Sequence, residues 1–426
     1  MTEIADLPDI SAFGFLDGRD RFGEAYQVLF ARPELRLLRT QAGSVVAFRN
    51  DDVRRIAAHP EAGNTPPGVL MARSRASVHD APATDAVGAA IARLVTNQVF
   101  TTNPPLHGPT RNIFARHFMP QVVARLVPRA RAIVGDLLDE SAGRGAIDFE
   151  FDFAERLTAR FWGALLGMTE AEQAEVVEVV RAISPMFYFK KEHDELVTAD
   201  QAAARYLDLV AGAVLRTRRA GGNALVDAMA DELEALDIAD DPDEGGVMPE
   251  NIGMMLAANL IDGFHTGALA AANTIYALLR NPEALARVRE DSTLVPAAAF
   301  EGLRLEPPVI VTQRYALGEI EHDGVRIPAG TPIVMLWAAA NRDPEAFPDP
   351  EAFRLDRPQR GDATFGGGGH ICPGRNVARM FAQVVVEALV RPDITLALTD
   401  GPYTWLDRST MRQLQAMPVV IDRTTA

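Results

Sequence analysis

The sequence predicts a mainly α-helical protein with small β-sheets. Between about Asp51 and Phe300, apolar residues recur at spacings of three and four, which is typical of amphipathic helices. Strand signals are confined to short stretches near residues 35–48 and 315–340, where apolar and polar residues alternate. The chain has 426 residues, more than the roughly 250 to 300 that usually share one core, so it forms one large layered domain or two domains.

The first elements are a short hairpin and a loop. Residues 35–38 and 45–48 are the predicted strands, and Gly43 and Ser44 lie at the turn between them. Residues 61–77 include Pro66-Pro67-Gly68 and predict an irregular loop. The clearest helical patterns that follow cover residues 121–143, 171–183 and 199–219.

A long helix and a second hairpin are predicted after an acidic, turn-rich connection at residues 237–246. Pro249 suits a first helical position, and the apolar run continues to Asn281. That is about 32 residues, or roughly 48 Å of helix, enough to cross a whole domain. Later in the chain, Asp323-Gly324 between alternating residues predicts a tight hairpin.

Composition excludes several classes of function. The net charge is -16, from 42 basic and 58 acidic residues, and no dense Lys/Arg run is present. Nucleic acid is therefore not an expected partner. No stretch approaches 18 uninterrupted apolar residues, and the N-terminus has no basic segment followed by an apolar one, so we expect a cytoplasmic protein that does not enter a membrane.

The single cysteine, Cys372, limits the metal chemistry of the chain. One cysteine cannot form an intramolecular disulfide, a cysteine-cluster zinc site or an iron–sulfur site. The thiol is therefore an inert core residue, a nucleophile or a single metal ligand. Its neighbours must decide between these roles.

Cys372 follows a glycine-rich loop, Phe365-Gly-Gly-Gly-Gly-His-Ile-Cys, and precedes an amphipathic helix. Pro373 fits the first helical turn, which places Cys372 at the helix cap. There, unpaired backbone N–H groups and the positive helix end favour an anionic sulfur. Glycines also permit positive φ and close approach to a flat neighbour.

Two other functions are compatible with parts of this loop. A glycine loop before a helix can bind phosphate, but the sequence has neither the Gly-x-Gly-x-x-Gly pattern after an apolar strand nor a Gly-Lys-Ser/Thr ending. A cysteine nucleophile would need a general base and an orienting group, and the sequence names neither. Local chemistry alone leaves metal ligation and nucleophilic catalysis open.

The spacing Phe365-Gly366-x-Gly368-x-His370-x-Cys372-x-Gly374 resembles the cysteine-ligand signature of the cytochrome P-450 family, with every commonly fixed position filled. The resemblance implies that Cys372 is the proximal ligand of the iron of haem b. It also implies the P-450 fold, a triangular helical prism with a long central helix and a minor β lobe. The expected single haem domain covers residues 1–426, with a β-rich lobe at about 30–60, a helical body at about 85–306 and a β and cysteine-loop region at about 307–426.

Glu301 and Arg304 resemble the family's Glu-x-x-Arg motif, a buried structural network on the proximal side. Taken alone, such a pair at i,i+3 on a helix is usually a surface ion pair worth about 0.2 to 0.5 kcal/mol. The family usually adds a basic residue where this chain has Ala352. The side chain that completes the network is left open; the candidates are Arg342, Arg354 and Arg357.

The resemblance also assigns contacts to the haem propionates. His107 and Arg111 lie four residues apart at a predicted helix start, where they form a fork suited to carboxylates. Arg314 and His370 fill the family's other propionate-binding positions. Phe365 and Gly366 of the signature are expected to pack against the cofactor.

In the long helix, Asp262-Gly-Phe-His265-Thr266-Gly267 stands where the family has its oxygen-activation motif. Thr266 matches that motif, but His265 occupies the acid position and Asp262 a position that is normally small. We expect Thr266 to hydrogen-bond dioxygen, and His265, oriented or charged through Asp262, to replace the acid in proton delivery. The alternative places His265 among neighbouring helices and Asp262 against substrate or water.

The resemblance implies a monooxygenase that inserts one oxygen atom from O2 into a small organic substrate. Since the sequence carries no flavin or nicotinamide motif, electrons are expected from a ferredoxin and its reductase, docked near Arg375 and Arg379. A second hypothesis is peroxide-driven oxidation or oxidative coupling without the usual proton relay. A third, from another class, is a non-catalytic haem sensor or carrier. The segment 186–191 is predicted to be either an aromatic lid with a basic rim or packing at a helix end.

Overall fold

The computed structural model describes residues 2–13, 22–70, 88–188, 192–406 and 409–424. Helices dominate these residues, as the apolar periodicity predicts. The chain divides into two compact units. Unit 1 comprises Met1–Gly63, Ala130–Ala154 and Ala268–Ala426, and unit 2 comprises Asn64–Arg129 and Glu155–Gly267.

Unit 1 contains the sheets. A five-stranded sheet has the order β1-β2-β8-β5-β3, a three-stranded sheet the order β4-β10-β9, and β6 and β7 form a hairpin. The bounds are β1 Leu37–Arg39, β2 Val45–Ala47, β3 Ala62–Gly63, β4 Ala146–Asp148, β5 Thr312–Ala316, β6 Ile320–His322, β7 Val325–Ile327, β8 Pro332–Met335, β9 Ile394–Leu398 and β10 Pro418–Arg423.

Both predicted hairpins are confirmed. β1 and β2 are antiparallel, with Leu38 opposite Val46. β6 and β7 are joined through Asp323 and Gly324, which have φ values of 48° and 74°, as a tight two-residue turn with positive φ at both positions requires. The predicted irregular loop at residues 61–77 is only partly irregular, because Ala62–Gly63 forms strand β3 against β5; residues 71–77 lie outside the described residues.

The five-stranded sheet joins distant parts of the sequence. β2 pairs in parallel with β8, and β8 pairs antiparallel with β5, so strands near residues 45 and 333 share one sheet. Apolar residues from both parts pack into one cluster, with Val45, Ile333 and Met335 fully buried. The N-terminal hairpin therefore pairs with the strands that follow the long helix. This pairing fixes the position of β5, which contains Arg314.

Some of the helices of unit 1 pack near the cysteine loop. The helices of this unit are α1 Phe22–Phe30, α2 Asn50–Ala57, α6 Val127–Ser141, α12 Pro282–Glu290, α13 Val295–Leu305, α14 Trp337–Ala340 and α15 Arg375–Leu389, together with the second part of the long helix α11, Ile252–Leu279. Ala270 of α11, Ala299 and Leu303 of α13 and Ala382 of α15 form a buried cluster, against which Phe365 packs. Small side chains in this cluster allow the helices to approach closely.

Unit 2 is helical. Its elements are α3 Ala89–Thr96, α4 His107–His117, α5 Pro120–Val123, α7 Glu155–Leu166, α8 Glu170–Ile183, a 3-10 turn at Ser184–Phe187, α9 His193–Ala220, α10 Ala224–Glu234 and the first part of α11, which as a whole spans Ile252–Leu279. The helix predicted at 171–183 is confirmed, and that predicted at 199–219 begins six residues earlier. The helix predicted at 121–143 is interrupted between α5 and α6. The long helix is 28 residues, slightly shorter than predicted.

Among the described residues, no helix is both long enough and apolar enough to cross a membrane.

Candidate functional site

The cysteine loop of unit 1 is a tight backbone structure. The backbone N–H of Cys372 donates to the carbonyl of Phe365 at 2.9 Å, and that of Gly366 donates to Ala363 at 3.0 Å. Gly366 and Gly368 have φ values of 73° and 64°, which side chains other than glycine rarely adopt. These two glycines bear out the predicted need for positive φ.

Two glycines of the cysteine loop lie against another part of the protein, the end of α2. A Cβ on Gly368 would lie 1.7 Å from the carbonyl oxygen of Ala57, at the end of α2. A Cβ on Gly367 would lie 3.2 Å from the Ala57 side chain, whereas one on Gly369 would meet nothing within 4 Å. Gly368 is therefore required for docking the loop on α2.

Cys372 lies just before α15 rather than at its cap. Gly374 is the N-cap residue and the helix begins at Arg375, so Pro373 precedes the helix instead of starting it. Pro373 and Gly374 form a turn between the cysteine and the helix, although a proline also suits a first helical turn. A Cβ on Gly374 would lie 3.9 Å from the sulfur, so the thiol still lies beside the positive end of the helix.

Two arginines of α15 lie close to the loop. Arg375 donates from Nη1 to the Cys372 carbonyl at 3.1 Å. The Arg379 guanidinium lies over the Phe365 ring at 5.0 Å and reaches Asp362 at 3.6 Å. The loop is thus braced on its helix through both main-chain and ring contacts.

Glu301 and Arg304 form a buried pair, as the motif predicts. Arg304 donates to both carboxylate oxygens of Glu301, at 2.7 and 2.9 Å. The two side chains are 1% or less exposed. Burial lowers the pKa of Arg304, while the Glu301 carboxylate beside it acts in the opposite direction.

Arg357 completes the network that Ala352 leaves without a basic side chain. Arg357 Nε donates to Glu301 at 3.1 Å, and its terminal nitrogens donate to the carbonyls of Pro348 and Asp349. Ala352 contributes only its carbonyl, which accepts from Arg304 at 3.1 Å. The Arg354 side chain is committed to Asp349 and Asp356, and Arg342 to Glu306 and Glu351.

The basic position has therefore moved five residues along the chain. Arg354 also takes part in the network, but through its backbone N–H, which donates to Glu301 at 2.8 Å. Sequence spacing alone could not separate the three candidates because all lie in the same irregular segment or next to it.

Arg314 and His370, the predicted propionate contacts of unit 1, lie in β5 and in the 3-10 turn Gly368–His370. Arg314 is 6% exposed, and its guanidinium lies over the Trp337 ring at 5.8 Å. Burial lowers the pKa of Arg314 to about 10. A carboxylate ligand would offset the cost of burying this cation.

His107 and Arg111, the predicted contacts of unit 2, lie one turn apart on α4, of which His107 is the first residue. The start of α4 is fixed by paired amides: Asn64 donates its N–H to Asn103 Oδ1 at 2.8 Å, and Asn103 Nδ2 donates to the Asn64 carbonyl at 2.9 Å. The backbone N–H of His107 then donates to the Asn103 carbonyl. Both basic side chains are thus held on one face of an anchored helix.

The first part of α11 carries one accessible stripe. Between Ile252 and Ile275, the partly accessible residues are Asn259, Asp262, Gly263 and Thr266, and the others are buried. Their spacing of 0, 3, 4 and 7 places them on one face of the helix. We call this face the distal stripe.

On its other side, α11 is tied to α7. Thr158 donates to the Phe264 carbonyl at 2.9 Å, and Trp162 donates to the Gly263 carbonyl at 3.0 Å. A Cβ on Gly263 would lie 3.3 Å from the Trp162 ring nitrogen. Gly263 is therefore explained by helix packing, a reason that the sequence pattern did not reveal.

His265 does not form the expected contact with Asp262. Its ring is 2% exposed and stacks parallel to Phe187 with centroids 5.7 Å apart. Both ring nitrogens are buried, and neither has a hydrogen-bond partner among the residues that the structure describes. The expectation that Asp262 orients or charges His265 is thus wrong, because i,i+3 spacing put the residues near each other without aiming the imidazole at the carboxylate.

Burial lowers the pKa of His265 to about 4 and raises the pKa of Asp262 to about 7. The imidazole is therefore neutral at physiological pH, while the carboxyl group titrates there. Gln98 Nε2 lies 3.4 Å from Asp262 Oδ2 and donates at 2.9 Å to the Ala258 carbonyl. Sequence analysis named neither Gln98 nor Phe187 as a partner of this motif.

Thr266 lies in the distal stripe, and its hydroxyl donates to the Asp262 carbonyl at 2.6 Å. This bond fixes the hydroxyl and leaves its oxygen able to accept a proton or a second hydrogen bond.

Each unit, taken by itself, supplies residues whose chemistry suits haem. In unit 1, a single thiol beside a helix start supplies one soft ligand, and the glycine turn at Gly366 has positive φ and carries no side chain. Arg314 is a buried cation that an anionic group would stabilise, and α11 supplies an accessible face with a hydroxyl and a carboxyl group.

The comparisons agree with this chemistry. Residues 146–392 match the family profile described as Cytochrome P450. The 6-deoxyerythronolide B hydroxylase of Saccharopolyspora erythraea is 31% identical over 324 residues, covering 76% of this chain and 77% of that protein. The chain belongs to the cytochrome P-450 family.

A second relative is similar in sequence, and a solved structure is similar in fold. The cytochrome P-450 monooxygenase PikC of Streptomyces venezuelae is 32% identical over 330 residues, with 76% of each chain covered. The crystal structure of CalO2 superposes with a TM-score of 0.81 at 26% identity, covering 96% of this chain and 97% of that one. This P-450 is therefore a haem-dependent monooxygenase that depends on external redox partners. When bound, haem activates O2 so that one oxygen atom enters the substrate and the other leaves as water.

Proposed function

We propose that this P-450 hydroxylates a bulky, mainly aliphatic compound, with electrons from a ferredoxin and its reductase in the cytoplasm. The observation that carries the proposal is Thr266, whose hydroxyl is fixed in the accessible distal stripe at the position of the family's oxygen-activation threonine. The bulky substrate is suggested by relatives named as hydroxylases of 6-deoxyerythronolide B, mycinamicin IV and C-19 steroids.

In this proposal Cys372 is the iron ligand and Thr266 the distal hydroxyl group. Phe365 and Gly366 pack against the cofactor on the side of the sulfur. His107, Arg111, Arg314 and His370 bind the propionates, and a propionate would stabilise the charge of the Arg314 guanidinium, which burial disfavours.

Thr266 tests the hydroxylase proposal against peroxide-driven oxidation. The ferric protein is first screened for spin-state shifts with 6-deoxyerythronolide B, mycinamicin IV and C-19 steroids. Product is then measured with NAD(P)H, ferredoxin and reductase, and separately with hydrogen peroxide. We expect reductase-supported product, a loss of about 10-fold or more in Thr266→Ala and retention in Thr266→Ser, which keeps the hydroxyl. Product from peroxide alone, equal in all three proteins, would favour the second hypothesis.

Arg379 is the proposed docking cation for the ferredoxin. It is 41% exposed at its side chain and lies on the helix that follows the ligand cysteine. An acidic ferredoxin meets an acidic protein here, so a local cation must offset the net charge of -16. Arg379→Glu should slow reduction by ferredoxin several-fold at low salt, whereas Arg391→Glu, similarly exposed and paired with Asp393, should not. Equal rates for both variants would contradict this docking site.

A further inference from the structure

The distal stripe contains an acid, although not at the family's acid position. Asp262 lies one turn before Thr266, and both retain accessible surface on the same helix face. The main chain links them directly, since the Thr266 hydroxyl donates to the Asp262 carbonyl at 2.6 Å. Asp262 and Thr266 thus lie one turn apart on the same partly accessible face of α11.

His265, at the family's acid position, is removed from that space. Its ring lies under Phe187 in parallel stacking, and neither nitrogen contacts a hydrogen-bonding group or accessible surface. A group that passes protons needs a partner within about 2.6 to 3.2 Å or through one water. The imidazole has none in this arrangement.

The surroundings of Asp262 suit proton exchange near neutrality. Burial raises its pKa to about 7, so both protonation states are populated at physiological pH. Gln98 makes only a long contact at 3.4 Å, because its amide is committed to the Ala258 carbonyl at 2.9 Å. Gln98 therefore does not strongly stabilise the ionised form of Asp262.

The titratable groups next to Asp262 are neutral, so they do not prevent it from exchanging protons with solvent. Tyr206 of α9 donates its hydroxyl to the Ala257 carbonyl at 2.9 Å. Burial, followed by the charge of Asp262, raises the pKa of Tyr206 well above its usual value, so the phenol stays neutral. On the same helix, His265 is neutral as well. Neither residue supplies a cation that would hold Asp262 ionised.

We propose that Asp262, rather than His265, exchanges the protons that oxygen reduction consumes, through the Thr266 hydroxyl. Monooxygenation takes up two electrons and two protons per turnover, and the electrons come from the redox partner. In each proton step the Asp262 carboxyl gives its proton to Thr266 Oγ1 or to an intervening water. The Thr266 hydroxyl releases its hydrogen bond to the Asp262 carbonyl and gives its own proton to the oxygen that is being reduced, and the Asp262 carboxylate then takes up a proton from solvent. The acid has moved one helical turn, from position 265 to position 262. This inference rests on the proposed role of Thr266.

Infrared spectroscopy tests the carboxyl group without any substrate. The haem-loaded ferric protein is titrated between pH 5 and 9, and the C=O stretch of a protonated carboxyl is followed by difference spectra in H2O and D2O. We expect a band with a midpoint near pH 7 in the wild type, in His265→Phe and in Asp208→Asn, an exposed control on α9. The band should be absent in Asp262→Asn. A band that persists in Asp262→Asn, or no titration above pH 5, overturns the proposal.

Oxygen reduction tests the proton transfer itself. Each protein oxidises NAD(P)H through a surrogate ferredoxin and reductase without substrate, and the share of electrons recovered as hydrogen peroxide rather than water is measured. Asp262→Asn should raise the ratio of peroxide to water about 10-fold, and Asp262→Glu should restore most of the wild-type ratio. An unchanged ratio in Asp262→Asn, or an equal rise in His265→Phe, overturns the proposal.

The outcomes separate this inference from the proposed function. If the wild type accepts no electrons from ferredoxin, the proposed partner is wrong, and the infrared titration still decides on Asp262. If Asp262 serves instead as an anchor for a substrate amine, Asp262→Asn weakens the spin-state titration with amine-bearing ligands and leaves the peroxide ratio unchanged.

Discussion

Arg357→Ala tests the rearranged network beneath the cysteine loop. The substitution removes the 3.1 Å bond to Glu301 and two bonds to main-chain carbonyls, at 2.9 and 3.2 Å. It also removes the guanidinium from the Phe347 ring, which lies 5.8 Å away. Glu301 keeps its bonds to Arg304, so the loss is partial.

The expected cost is about 3 to 5 kcal/mol, because three hydrogen bonds of a buried guanidinium are lost, each worth roughly 1 to 2 kcal/mol, while Arg304 still compensates the charge of Glu301. For 426 residues, an unfolding entropy of about 2.1 cal/mol/K per residue converts this to a fall of about 3 to 6 °C in Tm. The assay is thermal unfolding of the haem-loaded protein, followed by circular dichroism and by loss of the Soret band. We expect the Soret band to be lost first, because Glu301 lies on α13, whose residues pack against Phe365.

Two further variants isolate the cause. Arg354→Ala is the matched control, since its side chain is 39% exposed and makes only surface ion pairs; its Tm should fall by less than about 1 °C. In Arg357→Ala, adding Ala352→Arg should restore at least half of the lost stability, because it returns a cation to the family's position. A fall in Arg357→Ala no larger than that in Arg354→Ala would refute the assignment.

Two other predictions concern the loop and the buried histidine. Gly368→Ala should abolish most haem incorporation, measured as the ratio of Soret to protein absorbance, because its Cβ would overlap the Ala57 carbonyl; Gly369→Ala, which meets nothing within 4 Å, should bind haem normally, and equal losses would contradict the docking argument. His265→Phe should make the protein less sensitive to acid. The folded-state pKa of about 4 lies below the usual 6.5, so the wild type loses stability as pH falls from 6.5 toward 4, by up to about 3 kcal/mol, and the variant should lack this loss in Tm measured across that range. Parallel pH profiles for wild type and variant would show that His265 is not buried as a neutral ring.

The sequence predicted the elements whose signal is local. The hairpin at Asp323-Gly324 and the helix at residues 171–183 follow from turn chemistry and apolar period, and both are present. The signature around Cys372 identified the loop because glycines at Gly366 and Gly368 are required by positive φ.

What the sequence could not supply depends on contacts between distant segments. From the sequence, Arg357 was one of three candidate partners for Glu301. Only the fold shows that it contacts Glu301, which is 56 residues away in the chain. The orientation of His265 is decided by Phe187, from a turn that no spacing rule connects to α11. Residues 189–191, which complete the predicted aromatic and basic lid, lie outside the described residues, and the choice between a lid and helix-end packing stays a prediction.

The assignment of Cys372 as the iron ligand is tested most directly by the carbon-monoxide spectrum of the reduced haem protein. The wild type should give the long-wavelength Soret band after which the P-450 family is named, since that band reports thiolate ligation of the haem iron. Cys372→Ser should shift the band to shorter wavelength or lose the haem, while Gly369→Ala, in the same loop, should keep the band. An unshifted band in Cys372→Ser would contradict the assignment.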